Sequence, residues 1–333
     1  MKPFAYVRPA DTTEAVAAFA THTDARYLAG GTNLLDLMKR GVEGPGTLID
    51  INRLPLDRVQ ETPEGGLLIG ATVRNSALAA HPAVRARYPV LSQALLAGAS
   101  GQLRNAATTG GNLLQRTRCL YFQDVAKPCN KREPGTGCPA REGIHRDLAV
   151  LGHSESCVAT HPSDMSVALS ALDARVQLMG PDGERHVPVT DFIRLPGDRP
   201  ERDCEIRPGE LITGVELPSA APGALSAYRK ARDRASYAFA LVSVAAVLEL
   251  HDGMITGVAL AFGGLAHRPW RARKAEEVLH GSPATEAVFA RAADAELAAA
   301  QPLRDNGFKV PLARNLTVDV LSELAGRGKG GGA

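Results

Sequence analysis

Four of the chain's five cysteines, Cys119, Cys129, Cys138 and Cys157, fall within one short window, with nine, eight and eighteen residues between them. The window also holds Pro128, Pro134, Gly135, Gly137 and Pro139, which neither continue a helix nor supply apolar surface. A segment of that composition needs an outside source of order. Four unconnected buried thiols are one reading, and a metal site is the other. The spacing lacks the C-x2–4-C knuckles of zinc sites and the C-x2-C-x2-C run of ferredoxins. By number alone, four thiolates suit a [4Fe–4S] cubane or a tetrahedral zinc equally. Lys127, Lys131, Arg132 and Arg146 are near enough in sequence to offset thiolate charge. An odd cysteine count argues against a disulfide framework, and Cys204 stands apart as a bystander.

The other classes are narrowed by charge and patterning. In 333 residues, 38 Lys+Arg face 36 Asp+Glu, so no basic excess argues for a nucleic-acid partner. No apolar run reaches the roughly 18 residues of a membrane span, so no membrane insertion is expected. The start, MKPFAYVRPADTTEA, lacks the charged-then-apolar pattern of a secretory signal. The expected location is therefore the cytoplasm, or a compartment reached by export as a passenger on a signal-bearing partner.

Periodicity divides the chain into an α+β array. Residues 1–54 read strand–helix–strand–glycine turn–helix–strand, with Thr12 or Thr13 capping the first helix. Residues 55–220 mix strands and helices less regularly and contain the cysteine insert, roughly 115–160. Residues 221–326 follow a Pro/Gly/Ser/Ala linker. They carry two long apolar strands around Asp252-Gly253, a hairpin signal, and two alanine-rich helices. The tail, 327–333, is Gly-rich and expected to fray.

Two glycine turns could bind a ligand. Ala29-Gly30-Gly31-Thr32-Asn33 joins a strand to a helix, and Thr108-Thr109-Gly110-Gly111-Asn112 precedes another. Neither matches G-x-G-x-x-G or the P-loop. Each alone reads as an ordinary tight turn. Together they suggest backbone donors for one phosphate-bearing ligand. Asp164, in Thr160-His161-Pro162-Ser163-Asp164, offers a carboxylate or simply caps the next helix. Tyr228-Arg229-Lys230 and Ser236-Tyr237 could face a ligand or line a strand edge. His145, His153 and His161 lack metal-site spacing, and no Ser/His/Asp arrangement or H-E-x-x-H is present.

YLAGGTNLL, then TTGGN, then the THPSD turn together resemble the flavin-binding medium subunits of the molybdenum hydroxylases, the xanthine dehydrogenase and carbon monoxide dehydrogenase family. The resemblance runs over nearly the whole chain, and the order of the motifs makes it specific. It implies a vanillyl-alcohol-oxidase-type (PCMH) FAD-binding domain in two subdomains, followed by a C-terminal α+β domain of the CO dehydrogenase flavoprotein type. Most members lack a cysteine insert. Two branches carry one with a [4Fe–4S] cluster, the 4-hydroxybenzoyl-CoA reductase and bacterial periplasmic aldehyde oxidoreductase subunits. QRTRCLYF, PCNKREPG and SESC are more similar to the second.

The resemblance further implies that FAD contacts Tyr27, Leu28, Ala29, Gly30, Gly31, Thr32, Asn33 and Leu34, with Thr108, Gly111 and Asn112 completing the cradle. Asp164 would accept from FAD hydroxyls, and Ile212 and Lys230 would flank the flavin, the register at Arg229-Lys230 being open by one. Cys119, Cys129, Cys138 and Cys157 would hold the cluster. The implied role is electron transfer in a heterotrimer with a molybdenum-cofactor large subunit, where aldehyde oxidation occurs, and a [2Fe–2S] small subunit. Alternatives are a 4-hydroxybenzoyl-CoA reductase-type subunit, a stand-alone flavin oxidase, and a zinc-stabilised binding protein.

Overall fold

A computed structural model describes residues 1–22 and 24–330. The first unit is a three-stranded parallel sheet of order β1-β3-β2. It is built from β1 (Ala5–Val7), α1 (Thr12–Thr21), β2 (Ala25–Leu28), α2 (Leu34–Lys39) and β3 (Thr47–Asp50). The central strand β3 is buried along its whole length, as its flanked position requires. Asp11, not Thr12 or Thr13, caps α1. Its carboxylate accepts from Glu14 N at 2.8 Å while Glu14 Oε2 accepts from Ala10 N at 2.6 Å, a reciprocal arrangement close to a capping box.

The second unit adds β4 (Val59–Glu61), β5 (Leu67–Gly70), α3 (Asn75–Ala80), α4 (Pro82–Arg87), α5 (Pro89–Ala97), α6 (Gly101–Ala106) and α7 (Thr109–Leu113). Pro82 and Pro89 each open a helix, where proline's missing N–H costs nothing. Beyond the insert, which holds only α8 (Leu120–Gln123) and a 3-10 turn, come α9 (Asp164–Ala171), β6 (Arg175–Gly180), β7 (Gly183–Pro188), α10 (Val189–Phe192) and β8 (Leu211–Leu217). Its five strands form an antiparallel sheet of order β4-β5-β8-β6-β7.

The third unit is the antiparallel sheet β12-β11-β10-β9, from β9 (Leu225–Ala231), β10 (Val242–His251), β11 (Met254–Gly263) and β12 (Trp270–Arg271). Asp252 and Gly253 both have positive φ, 50° and 77°, the tight turn expected of an Asp-Gly hairpin. The helices α11 (Arg273–Leu279), α12 (Glu286–Leu297) and α13 (Lys309–Gly330) close the unit.

The last helix was not anticipated from the sequence. Ala313, Thr317, Val320, Leu321 and Leu324 are fully buried on its inner face against β9 and β10, a helical period interrupted early by Pro311. Helix α13 runs to Gly330, so the expected fraying does not begin at residue 327. Residues 331–333 of that tail lie outside the described residues. The insert has its own small core, in which Phe122, Ala140, Leu148, Val158 and Ala159 pack with Cys119 and Cys157.

Candidate functional site

The two glycine turns meet. A Cβ at Gly30 would lie 1.9 Å from the Ala106 carbonyl oxygen, so only glycine permits this approach of one backbone to the other. Gly31 has φ +70°, and the turn it makes leaves the N–H groups of Gly30, Gly31, Thr32 and Asn33 with no protein acceptor among the described residues. Consecutive free N–H groups in such a turn form an anion-binding concavity. Asn33 Oδ1 accepts from Arg116 N at 2.9 Å, tying this turn to the chain beyond the second one. Leu28 and Ala29 lead into the turn and Leu34 leaves it, all partly exposed. Tyr27 turns away, its hydroxyl donating to Gly209 O at 2.9 Å.

The second turn differs from expectation. The N–H groups of Thr109, Gly110 and Asn112 are spent on Val73, Ala71 and Thr108 carbonyls, and Gly111 N donates to Thr108 Oγ1 at 3.3 Å. Thr108 caps α7 and the strand-end carbonyls reach the rest, so this turn offers a close surface rather than free backbone donors. Ile212 packs behind it, against the Gly110 face. Two residues that sequence reasoning missed lock the turns together. Asn52 Nδ2 donates to Ala29 O at 2.9 Å, and Arg74 bonds both Asn52 Oδ1 at 3.0 Å and Ala106 O.

Asn112 carries the arrangement onward. Its Oδ1 accepts from Ser163 Oγ at 2.5 Å, and Ser163, rather than Asp164, is the N-cap of α9. Asp164 follows in the first turn, already engaged by Tyr228 Oη at 2.5 Å and Lys230 Nζ at 2.7 Å. Lys230 therefore points inward (side chain 4% exposed), while Arg229 points out to Glu323, as alternation along β9 demands. Tyr228 stands in the stretch that the sequence offers as facing a ligand or lining a strand edge, but its partner Asp164 is fixed only by the packing of α9 on the third sheet.

Ser163 and Asp164 border a cavity of about 340 Å³, together with Arg118, Cys119, His161, Phe239, Ser243, Gly263 and Gly264. That size suits a ring system with polar edges. Ser243 Oγ is buried there without a hydrogen-bond partner, and burial holds the His161 imidazole neutral, its pKa down at about 3. An orphaned hydroxyl, an open concavity of N–H groups and a cavity joined through Asn112 and Ser163 fit an elongated nucleotide such as FAD. Ser236-Tyr237 stays at the rim, Tyr237 being 55% exposed.

Cys119 also belongs to a second, much smaller space. All four insert cysteines line it, with Lys131, Phe122 and Pro139. Burial pushes Cys119 up to about 11 and Cys157 up to about 12, and raises Cys138. These thiols are protonated until a metal displaces the protons. Nearby backbone N–H groups, of Phe122 and Tyr121 for Cys119, of Val158, Ala140 and Arg141 for Cys138, and of Ala159 for Cys157, act against that rise, as donors near a thiolate do.

Among the described residues no three His, Cys, Asp or Glu side chains stand together as ligands of one metal ion. The four thiols that line one space are the donor set of a [4Fe–4S] cluster or of a tetrahedral zinc by number, and no three of them converge on one metal position. The space measures about 10 Å³, with Cys119 and Cys157 buried and Cys129 and Cys138 half-exposed around it. Cys204 sits elsewhere, against the core of the second unit.

Of the four cations expected to offset thiolate charge, Lys131 acts on Cys157. Lys127 is exposed, Arg132 is spent on the carbonyls of Tyr121, Phe122 and Lys127, and Arg146 pairs with Asp233. His145 is buried as an acceptor for Asp305 N at 3.0 Å, and His153 bonds Gln301 O at 2.8 Å. Neither approaches the thiols as a ligand.

Comparison with known proteins accounts for both halves. Residues 2–220 match the FAD binding domain in molybdopterin dehydrogenase, and residues 226–324 match the CO dehydrogenase flavoprotein C-terminal domain. The aldehyde oxidoreductase FAD-binding subunit PaoB of Escherichia coli (strain K12) is 52% identical over 97% of this chain and 98% of its own length. The glyceraldehyde dehydrogenase medium chain of Sulfolobus acidocaldarius is 28% identical over 84% of this chain and 81% of its own. A chain of the carbon monoxide dehydrogenase from Hydrogenophaga pseudoflava superposes with a TM-score of 0.77 at 27% identity, over 98% of each chain. The chain belongs to the FAD-binding subunits of the molybdenum hydroxylases and is an oxidoreductase subunit of that family.

Proposed function

We propose that the chain is the electron-transfer subunit of a molybdenum-dependent aldehyde oxidoreductase, holding FAD between the two glycine turns and the large cavity, and a [4Fe–4S] cluster on Cys119, Cys129, Cys138 and Cys157. One observation carries this reading: Cys119 lines both the ring-sized cavity and the four-thiol space. Two redox groups in those places would be neighbours through a single residue.

The protein's part is binding and exclusion. Gly30 to Asn33 would receive the pyrophosphate on their free N–H groups, and Gly111 and Asn112 would close over it. Asp164, braced by Tyr228 and Lys230, stands ready to accept from ligand hydroxyls. Lys230 offsets its charge, which keeps a buried carboxylate tolerable. His161, neutral by burial, and Phe239 border the ring space. When bound, a flavin takes up electrons singly and releases them in pairs, and an iron–sulfur cluster passes them singly. We propose a molybdenum-cofactor large subunit and a [2Fe–2S] small subunit as the partners, with the oxidation site on the former, and the periplasm as the compartment.

Similarity to PaoB favours the aldehyde branch over a 4-hydroxybenzoyl-CoA reductase-type subunit. The test is iron, flavin and molybdenum analysis of the complex purified with its natural partners. One FAD and four irons attributable to this chain support the reading. A complex whose iron is unchanged by Cys138→Ser, or whose medium subunit is colourless and zinc-loaded, refutes it.

A further inference from the structure

Lys131 lies two residues beyond Cys129, yet its side chain is only 1% exposed. Its ammonium donates to Pro200 O at 2.7 Å and to Asp203 Oδ1 at 2.5 Å, and stands 2.6 Å from His267 Nε2. Asp203 also takes Arg116 Nε at 2.7 Å, and Arg116 Nη1 reaches Glu43 at 2.6 Å. Two cations and two carboxylates thus form one chain of pairs, buried at Lys131 and partly exposed at Asp203, Arg116 and Glu43. His267 is held neutral, at about 4, by burial and by the ammonium beside it, and its Nδ1 is 2.8 Å from Arg194 O. The network therefore joins the cysteine insert to the 194–203 loop and to the third unit.

The neighbouring residue does the local work. Asn130 N donates to Gly137 O at 2.9 Å, Asn130 Oδ1 accepts from Gly137 N at 2.7 Å, and Asn130 Nδ2 donates to Ser156 O at 3.0 Å. Those bonds bring the segments of Cys129, Cys138 and Cys157 together, leaving Lys131 as the buried cation bordering the thiol space. The offsetting Asp203 stands on the 194–203 loop, across the ammonium, and does not line that space. A fixed positive charge in a low-dielectric site favours added negative charge nearby, and net charge is one of the levers on an iron–sulfur potential.

We propose that Lys131 is a positioning residue for the four-thiol site and sets the reduction potential of the group those thiols hold, with Asp203 acting in the opposite sense. This rests on the reading that the cysteines bind an iron–sulfur cluster. Lys131 fixes charge and geometry and takes no part in bond-making.

The experiment is a redox titration of the purified complex, followed by the paramagnetic signal that disappears in Cys138→Ser, with iron and FAD counted in each preparation. Lys131→Met is expected to make reduction at a set potential at least tenfold less favourable, a shift of 59 mV to more negative values for one electron. Asp203→Asn should shift it the other way, and Lys131→Arg should stay near the parent value. A merely structural role would move both charge variants in one direction or lose iron from both. An unmoved midpoint in iron-replete Lys131→Met overturns the proposal, as do same-sign shifts. If Lys131→Met loses its iron, Asp203→Asn decides, and an unmoved midpoint there overturns it too. Absence of iron from the parent complex defeats the cluster reading itself and is told apart by that count.

Discussion

Replacing Gly111 by alanine separates ligand placement from folding. A Cβ there would meet one atom, Thr108 Oγ1 at 2.9 Å, a hydroxyl that can rotate away. The loss is one capping bond, at most about 0.5–2 kcal/mol, and alanine regains roughly 0.8–1.0 kcal/mol of helix propensity over glycine. The two nearly cancel, so the melting temperature of the flavin-free protein should move by no more than a few degrees, taking about 2–4 °C per kcal/mol. The solvent side is different, because a methyl there occupies the surface on which the FAD phosphates would rest. Flavin affinity should fall at least tenfold, about 1.4 kcal/mol.

Two controls frame the result. Gly101→Ala meets nothing within 4 Å and should change neither property. Gly30→Ala puts a methyl 1.9 Å from Ala106 O and should lose both, since overpacking costs about 1–3 kcal/mol. Flavin fluorescence titration and thermal melts of the four proteins are the assay. Parental FAD affinity in a folded Gly111→Ala protein would refute the cradle.

In the cysteine series, Cys119→Ser, Cys129→Ser, Cys138→Ser or Cys157→Ser should each lower iron and flavin together. Cys204→Ser should leave both intact, and iron loss there would contradict the ligand set. Tyr228→Phe removes the 2.5 Å bond to buried Asp164 and should cost about 1–3 kcal/mol, read by urea denaturation; an unchanged midpoint would count against that brace. Acid should weaken the fold early. The imidazoles of His161 and His267 stay neutral down to about 3 and about 4, whereas in the unfolded chain they charge near pH 6.5. Below that the unfolded state binds more protons, so stability falls as pH drops from 6.5 towards 4, by up to about 1.4 kcal/mol per pH unit for each imidazole. Asp203, held low by Lys131 and Arg116, adds its own loss only at still lower pH. Urea midpoints that stay level between pH 7 and pH 5 would contradict this.

Legibility followed how local each signal was. The first fifty residues were readable because every element there announces itself by period or by glycine, and Asp252-Gly253 marked its hairpin within two residues. Both glycine turns were visible as motifs, but their unequal chemistry was not. Whether an N–H is free depends on Ala71 and Val73, in the turn that follows β5. Arg74 and Asn52 bond across 22 positions of sequence and look like ordinary surface residues until the units pack, and the partner of Tyr228 lies 64 positions away. Lys131 was singled out, but as one of four charges near the cysteines. Only burial separates it from Lys127, Arg132 and Arg146.

The bond from Ser163 to Asn112 spans 51 positions and closes the base of the cysteine insert. A loop pinned at its neck can change length at little cost, since each doubling adds only about 0.6 kcal/mol of closure entropy. The insert can therefore change length at its tip without moving Asn112 or Ser163, whereas Arg118, Cys119 and Leu148 line the cavity and are held to their places. Grafting asks for more than a matching neck, because the recipient must also supply the counterparts of Pro200, Asp203 and His267 that hold Lys131.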